Sequence, residues 1–145
     1  MLNHLDLGKM KLRAADFFSE MARLKKEEQQ FDLALIDPPF FSVTEKGKVD
    51  MAAESQRLIN KVRPLIKHEG RLIVINNALF LSGKEFMASL DSLCQDGYLE
   101  VTEMIDVPAD ITGSPQTIVA KAPADPAPFN HPTKIVILKV KRKSS

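Results

Sequence analysis

The feature that most constrains this sequence is an apolar run ending in an acid, two prolines and an aromatic residue, Phe31-Asp-Leu-Ala-Leu-Ile-Asp-Pro-Pro-Phe40. Residues 33–36 show little polar alternation, which predicts a parallel strand that is covered on both faces. Pro38 is expected to end this strand, because proline has no N–H for a ladder and a fixed φ. Asp37 is therefore predicted at the carboxyl end of a central strand, the edge at which open α/β sheets bind ligands.

The rest of the chain alternates predicted strands and helices. The predicted strands are 10–15, 33–36, 71–75, 98–105, 117–120 and 134–141, and the predicted helices are 2–7, 17–26, 50–67 and 82–94. Pro64 is expected to kink or split the helix over 50–67, and Ser82 and Glu85 have the spacing of a capping box. This alternation indicates an α/β sheet, and two final strands with no helix between them indicate an antiparallel hairpin.

The Asp37-Pro-Pro-Phe40 segment resembles the Asp-Pro-Pro-Phe/Tyr motif of class I S-adenosylmethionine (SAM) dependent methyltransferases that methylate nucleic-acid bases. The segment Glu69-Gly-Arg-Leu72 and the tail from Phe129 to Lys143 are similar to the members that modify large-subunit ribosomal RNA. The resemblance covers nearly the whole chain. It implies a single methyltransferase catalytic domain over 1–145, truncated at its N-terminus, with a Rossmann-like, mostly parallel sheet and an antiparallel C-terminal hairpin.

The resemblance also implies the residues that would handle the substrate. Asp37 and the carbonyl of Pro38 would accept hydrogen bonds from an exocyclic amine of the RNA base, and so stabilise the positive charge that builds as the amine attacks. Pro39 would stiffen the loop, and the ring of Phe40 would stack on the base and recover part of the cost of extruding it. These four residues are the predicted catalytic group.

The cofactor implied by the resemblance is SAM, and three residues are predicted to contact it. Asp16, expected at the end of the strand over 10–15, would accept a hydrogen bond from the adenine amine, and Phe17 would pack on the adenine ring. Asp37 is expected to border the cofactor as well as the base.

One part of the family pattern is missing, because none of the six glycines forms Gly-x-Gly. In the family, that motif lets the backbone approach the methionine part of SAM. The sheet is therefore expected to lack its first two strands. The strand over 10–15 would then pair directly with 33–36 or be displaced, or another chain would fill the edge. Since an unpaired apolar edge favours association, a homodimer or a partner chain is predicted there.

The missing glycine loop leaves three interpretations open. The chain is an active enzyme, or it is a non-catalytic remnant or interaction module that no longer binds SAM alone, or it is one part of a longer gene product. Binding of S-adenosylhomocysteine (SAH) and the sequence encoded upstream of Met1 would separate them.

Composition narrows the remaining classes of function. A single cysteine, Cys94, excludes an internal disulfide and fits a reducing cytoplasm. A net charge of +1 argues against a strongly basic nucleic-acid binder, and no apolar run has the roughly 18 residues of a membrane span. The three histidines lack metal-ligand spacing, so no metal site is predicted.

Two asparagines bear on which atom receives the methyl group. Relatives that form 5-methylcytosine need a cysteine nucleophile, commonly after the strand that matches 71–75, where this chain has Asn76 and Asn77. The resemblance therefore favours transfer to an amine nitrogen over cytosine C5. The asparagines would orient the base or the methionine end of SAM, or else cap their own turn.

Overall fold

The computed structural model describes residues 8, 10–39, 43, 44, 47, 48, 51–112 and 121–142. The helices within them are Phe17–Lys26 (α1), Met51–Val62 (α2), Gly83–Cys94 (α3) and Ala109–Thr112 (α4), and a 3-10 helix covers Arg63–Leu65. The strands are Phe31–Ile36 (β1), Val43–Thr44 (β2), Gly47–Lys48 (β3), Ile66–Asn76 (β4), Leu99–Ile105 (β5) and Lys134–Val140 (β6). The helix predicted at 2–7 and the strand predicted at 117–120 lie outside the described residues.

Four strands form one mixed sheet in the order β1-β4-β6-β5. β1 and β4 are parallel, whereas β6 is antiparallel to both β4 and β5. The last strand of the chain is therefore inserted between β4 and β5, and β1, β4 and β5 all point the same way. This arrangement confirms the predicted α/β class and the antiparallel end of the sheet.

The three longer helices cover one face of this sheet. Alternate residues of β4 and β6 face the helices and share one buried core with them, which includes Leu72, Val74, Val136, Leu138, Ile59, Phe86 and Leu90. On the opposite face of β1, Leu33 and Leu35 are 53% and 57% exposed. Within the described residues β1 is hydrogen-bonded only to β4, so it is an edge strand with an open apolar face. The prediction of a central strand covered on both faces is therefore wrong for these residues, because no described strand or helix packs on that side.

The strand predicted at 10–15 is wrong, because the structure has no strand between residues 10 and 16. A strand needs a neighbour to satisfy its backbone groups, and this segment does not pair with β1. Leu12 is 90% exposed, and Asp16 is not the end of a strand but the N-cap of α1. The segment is therefore displaced from the sheet and does not pair with β1, while coverage of the open edge by another chain stays a prediction.

The helix predicted over 50–67 is too long. The helix α2 ends at Val62, and the 3-10 helix that follows contains Pro64, whose missing N–H stops the α-helical pattern. β4 begins directly after it, at Ile66, and includes Gly70. A Cβ on Gly70 would lie 2.9 Å from the backbone oxygen of Asp32, so glycine permits the close approach of β1 and β4.

The third predicted helix is confirmed together with its capping box. The hydroxyl of Ser82 accepts a hydrogen bond from the backbone N–H of Glu85 at 3.2 Å. The carboxylate of Glu85 in turn accepts one from the backbone N–H of Ser82 at 2.8 Å. Gly97, with a φ of 75°, follows the helix and leads into β5.

Candidate functional site

The candidate site lies where the parallel strands β1 and β4 end side by side. Ile36, the last residue of β1, is buried, and Asp37 directly after it is exposed. Asn77, directly after β4, donates a hydrogen bond from Nδ2 to Oδ1 of Asp37 at 2.8 Å. Asp37 therefore lies at the carboxyl rim of the sheet, where the sequence predicts it and where α/β sheets bind ligands. Its chemical role stays a prediction.

The two adjacent asparagines have different environments. Asn76 is fully buried, and its Nδ2 donates to the hydroxyl of Ser55 in α2 at 3.1 Å. Its Oδ1 accepts from the backbone N–H of Ala78 at 3.0 Å. Asn76 thus attaches the end of β4 to α2 and shapes the turn that follows, while Asn77 is exposed beside Asp37. The sequence alone did not separate these roles.

A buried lysine, Lys134, also forms a hydrogen bond to the turn after β4. Its side chain is almost completely buried, and its Nζ donates to the carbonyl of Ala78 at 3.0 Å and to that of Pro132 at 2.7 Å. Burial lowers the pKa of Lys134 to about 8. Lys134 was not among the residues predicted from the sequence. A signal was present, since Lys134 shares the period-2 phase of the buried residues Val136 and Leu138.

A cavity of about 850 Å³ opens beside this rim between α1, β1 and α2. Phe17, Asp37, Pro38 and Pro39 all line it, so the structure brings four of the predicted site residues together. Phe40 lies outside the described residues, and its predicted stacking role remains a prediction.

The α1 side of this cavity is aromatic, and an arginine from α2 packs on it. The rings of Phe17 and Phe18 pack edge to face with centroids 5.1 Å apart. The guanidinium carbon of Arg57 lies 4.1 Å from the centroid of Phe18, which is a cation–π contact. Such a wall can hold a flat heterocycle by stacking. Arg57 was not among the residues predicted from the sequence.

Asp16, the predicted adenine ligand, is the N-cap of α1. Its Oδ1 accepts from the backbone N–H of Ser19 at 2.9 Å, which satisfies one of the free donors of the first turn. This hydrogen bond lowers the pKa of Asp16 below its usual value, so the side chain is an anion at neutral pH. Asp16 is next to Phe17 in the chain but is not among the residues that line the cavity.

Two other kinds of chemistry find no support in the structure. Burial raises the pKa of the half-buried Cys94 at the end of α3, which disfavours the thiolate needed for nucleophilic attack. Among the described residues, no three His, Cys, Asp or Glu side chains are grouped so that they could hold a metal ion.

A search of the same residues also finds no helix with the length and apolarity to cross a membrane.

No family model matches the sequence. Over 91 residues the chain is 24% identical to the "Putative ribosomal RNA large subunit methyltransferase YwbD" of Bacillus subtilis (strain 168). This alignment covers 63% of the chain and 23% of the relative.

Solved structures with this fold include "A putative sam-dependent methyltransferase from Streptococcus mutans", with a TM-score of 0.71 and 19% identity. Another is SMU.776, "a putative methyltransferase complexed with SAH", with a TM-score of 0.72 and 20% identity. Each similarity covers 95% of this chain and 33% of the solved chain. The M1.HpyAVI-SAM complex is more distant, with a TM-score of 0.51 and 15% identity over 90% of this chain.

These comparisons confirm the resemblance inferred from the sequence. The chain spans 23% of the curated relative and 33% of each of the first two solved structures. Over nearly its whole length, it has the α/β fold of SAM-dependent methyltransferases.

Proposed function

We propose that this chain is part of a SAM-dependent methyltransferase that modifies a base of RNA, with ribosomal RNA as the substrate class. The acceptor is an exocyclic amine nitrogen. The observation that carries the proposal is the position of Asp37 at the sheet rim, held by Asn77 and facing the cavity that Phe17 also lines. The fold and the name of the Bacillus subtilis relative support the reaction and the substrate class.

The amine would be held by Asp37 and Pro38. Asn77 donates to Oδ1 of Asp37, and Oδ2 has no hydrogen-bond partner among the described residues, so this oxygen is the one proposed to accept an incoming N–H. An amine that attacks a methyl group acquires positive charge, and a carboxylate fixed in advance stabilises that charge without reorganising. Pro38 and Pro39 restrict the backbone and so fix the direction of the Pro38 carbonyl. Phe40 would stack on the base.

SAM, when bound, supplies an electrophilic methyl group on a sulfonium. The residues present fit the adenine end of this cofactor, because Phe17 offers a ring face or edge to the cavity and Asp16 is an exposed anion next to it. The Asp16 carboxylate caps α1, and it would have to accept the adenine amine in addition to its bonds within the first turn. The chain's contribution to the reaction would be to orient the amine against the methyl group.

The Gly-x-Gly residues that would bring the backbone close to the methionine end of SAM do not occur in this sequence. We propose that polypeptide outside these 145 residues supplies them and also pairs with the open edge of β1. The exposed Leu33 and Leu35 mark that edge, and the solved relatives are about three times as long as this chain. A second copy would cover the edge without bringing a glycine loop, so a homodimer alone would not complete the site.

SAH binding tests this proposal in two arms. The 145-residue chain is titrated calorimetrically by itself, and then joined to the segment encoded directly upstream of Met1. The proposal expects micromolar binding in the second arm. Binding in the first arm would show that the described cavity suffices, with the remaining polypeptide dispensable for the cofactor.

The competing function is a non-catalytic remnant or interaction module of the methyltransferase fold. The missing glycine motif favours it, whereas the retained Asp37-Pro-Pro-Phe40 segment argues against it. No SAH binding at millimolar concentration in either arm, with both proteins folded, would establish the remnant and overturn the enzyme. A cytoplasmic location is proposed for either function, because the single cysteine fits a reducing compartment.

A further inference from the structure

The turn after β4 is held from two sides by buried polar groups. Asn76 bonds to Ser55 and to the backbone N–H of Ala78, and Lys134 bonds to the carbonyl of Ala78. Both backbone polar groups of Ala78 are therefore used by buried side chains. Asn77, the residue between Asn76 and Ala78, is the one whose side chain reaches Asp37.

The register of the sheet places the two buried side chains, Asn76 and Lys134, side by side. Asn76 and Lys134 are direct cross-strand partners at the end of the β4–β6 ladder. Because β6 is antiparallel, its first residue lies at the carboxyl end of β4, directly below the candidate site. The network therefore joins the ends of two inner strands of the sheet to the turn that carries Asn77.

A lysine in this position is costly for stability. Removing an ammonium group from water is expensive, and within the described residues Lys134 has no carboxylate partner to offset that expense. The next inward positions of β6 are Val136 and Leu138, so an apolar residue would suit position 134 sterically. The donors of Lys134 go to two backbone carbonyls, of Ala78 and Pro132, and these contacts explain why a cation is kept there.

We infer that Lys134 is a positioning residue, which fixes the Asn77–Ala78 turn so that the Asn77 amide holds the Asp37 carboxylate in one orientation. This inference rests on the proposed function for its effect on methyl transfer, but its structural half does not. Lys134 itself does not line the cavity and touches neither the base nor the cofactor.

The structural half is tested by NMR on the 16.2 kDa chain. The side-chain amide of Asn77 is assigned by its loss in Asn77→Ala, and its proton shift should move in Asp37→Ala. Lys134→Met is expected to move the same resonance toward the Asp37→Ala position, and to increase amide hydrogen exchange at Ala78 by about 10-fold or more. Lys139→Met is the matched control, because Lys139 lies on the same strand but pairs with Glu69 and Glu100.

The functional half uses the enzyme assembled with its SAM-binding polypeptide. Lys134→Met is expected to lower kcat about 10- to 100-fold with little change in the KM for SAM, because only the orientation of the acceptor side is lost. In an Asn77→Ala background the same substitution should have almost no further effect, since the route to Asp37 is already broken. Lys134→Gln retains side-chain N–H donors, so its kcat should lie between that of wild type and that of Lys134→Met.

The possible failures are distinguishable. If the Asn77 resonance and the Ala78 exchange rate are unchanged in folded Lys134→Met, or if kcat effects of Lys134→Met and Asn77→Ala simply multiply, the positioning inference is overturned. If the wild-type assembly neither binds SAH nor transfers methyl groups, the proposed function fails, and the NMR result alone decides whether Lys134 orders the turn. If Lys134→Met does not fold, the same measurements on Lys134→Gln decide the inference.

Discussion

Replacing each of the two adjacent asparagines by alanine should have very different effects on stability. Asn76→Ala removes the acceptor of the Ala78 N–H inside the protein, and leaving a buried donor unsatisfied costs about 1–3 kcal/mol. It also removes the hydrogen bond to Ser55, worth about 0.5–1.5 kcal/mol. The expected loss in the free energy of unfolding is therefore about 2–4 kcal/mol. Asn77→Ala changes an exposed residue and should cost only about 0.5 kcal/mol.

Urea unfolding followed by far-UV circular dichroism measures this difference. The midpoint for Asn76→Ala should fall by about 1–2 M, while that for Asn77→Ala stays close to wild type. The two variants have the same composition and are adjacent in the chain, so each is the control for the other. Equal midpoints would refute the assignment of Asn76 as the buried anchor of the turn.

Three further predictions concern other parts of the structure. Because the pKa of Lys134 is lowered to about 8, the folded state binds fewer protons than the unfolded state from there up to about pH 10.4. The free energy of unfolding should rise by about 1–3 kcal/mol across that window in wild type and not in Lys134→Met, as measured by urea titrations at several pH values. Gly83→Ala should destabilise the protein by about 3 kcal/mol or more in the same assay, because its Cβ would lie 2.0 Å from the Pro126 carbonyl oxygen. An unchanged midpoint of urea unfolding would contradict the close packing of Pro126 against the start of α3. Leu35→Lys on the open face of β1 should reduce concentration-dependent association in light scattering, whereas Ile111→Lys at a still more exposed site should not; a wild-type chain that stays monomeric at high concentration would contradict the prediction that this face drives self-association.

The two parallel strands β1 and β4 were predictable because their signal is local, although the burial predicted for β1 was not. The apolar runs in β1 and β4, with an acid and prolines after β1, define two parallel strands and the rim at which they end. The capping box before α3 was likewise readable, since both of its partners lie within four residues. Asp37 could be placed at the rim on this local evidence.

The errors arose where distant residues decide the structure. Residues 10–15 have a strand-like pattern, but no strand of the described sheet pairs with them, and Asp16 caps a helix instead. The difference between Asn76 and Asn77 depends on Ser55 and Lys134, which are 21 residues before and 58 residues after Asn76 in the chain. Lys134 could have been noticed as a charge in an inward phase, although its two carbonyl partners could not.

Methyl transfer to RNA by the assembled enzyme, measured in parallel for Asp37→Ala and Asp32→Ala, tests the central claim most directly. Both acids belong to the β1 segment and are exposed, but Asp32 is near the opposite end and pairs with Lys67 at 2.8 Å. We expect Asp37→Ala to lower kcat about 100-fold or more, and Asp32→Ala to stay within about 3-fold of wild type. Equal activity in the two variants would contradict the assignment of Asp37 as the acceptor for the substrate amine.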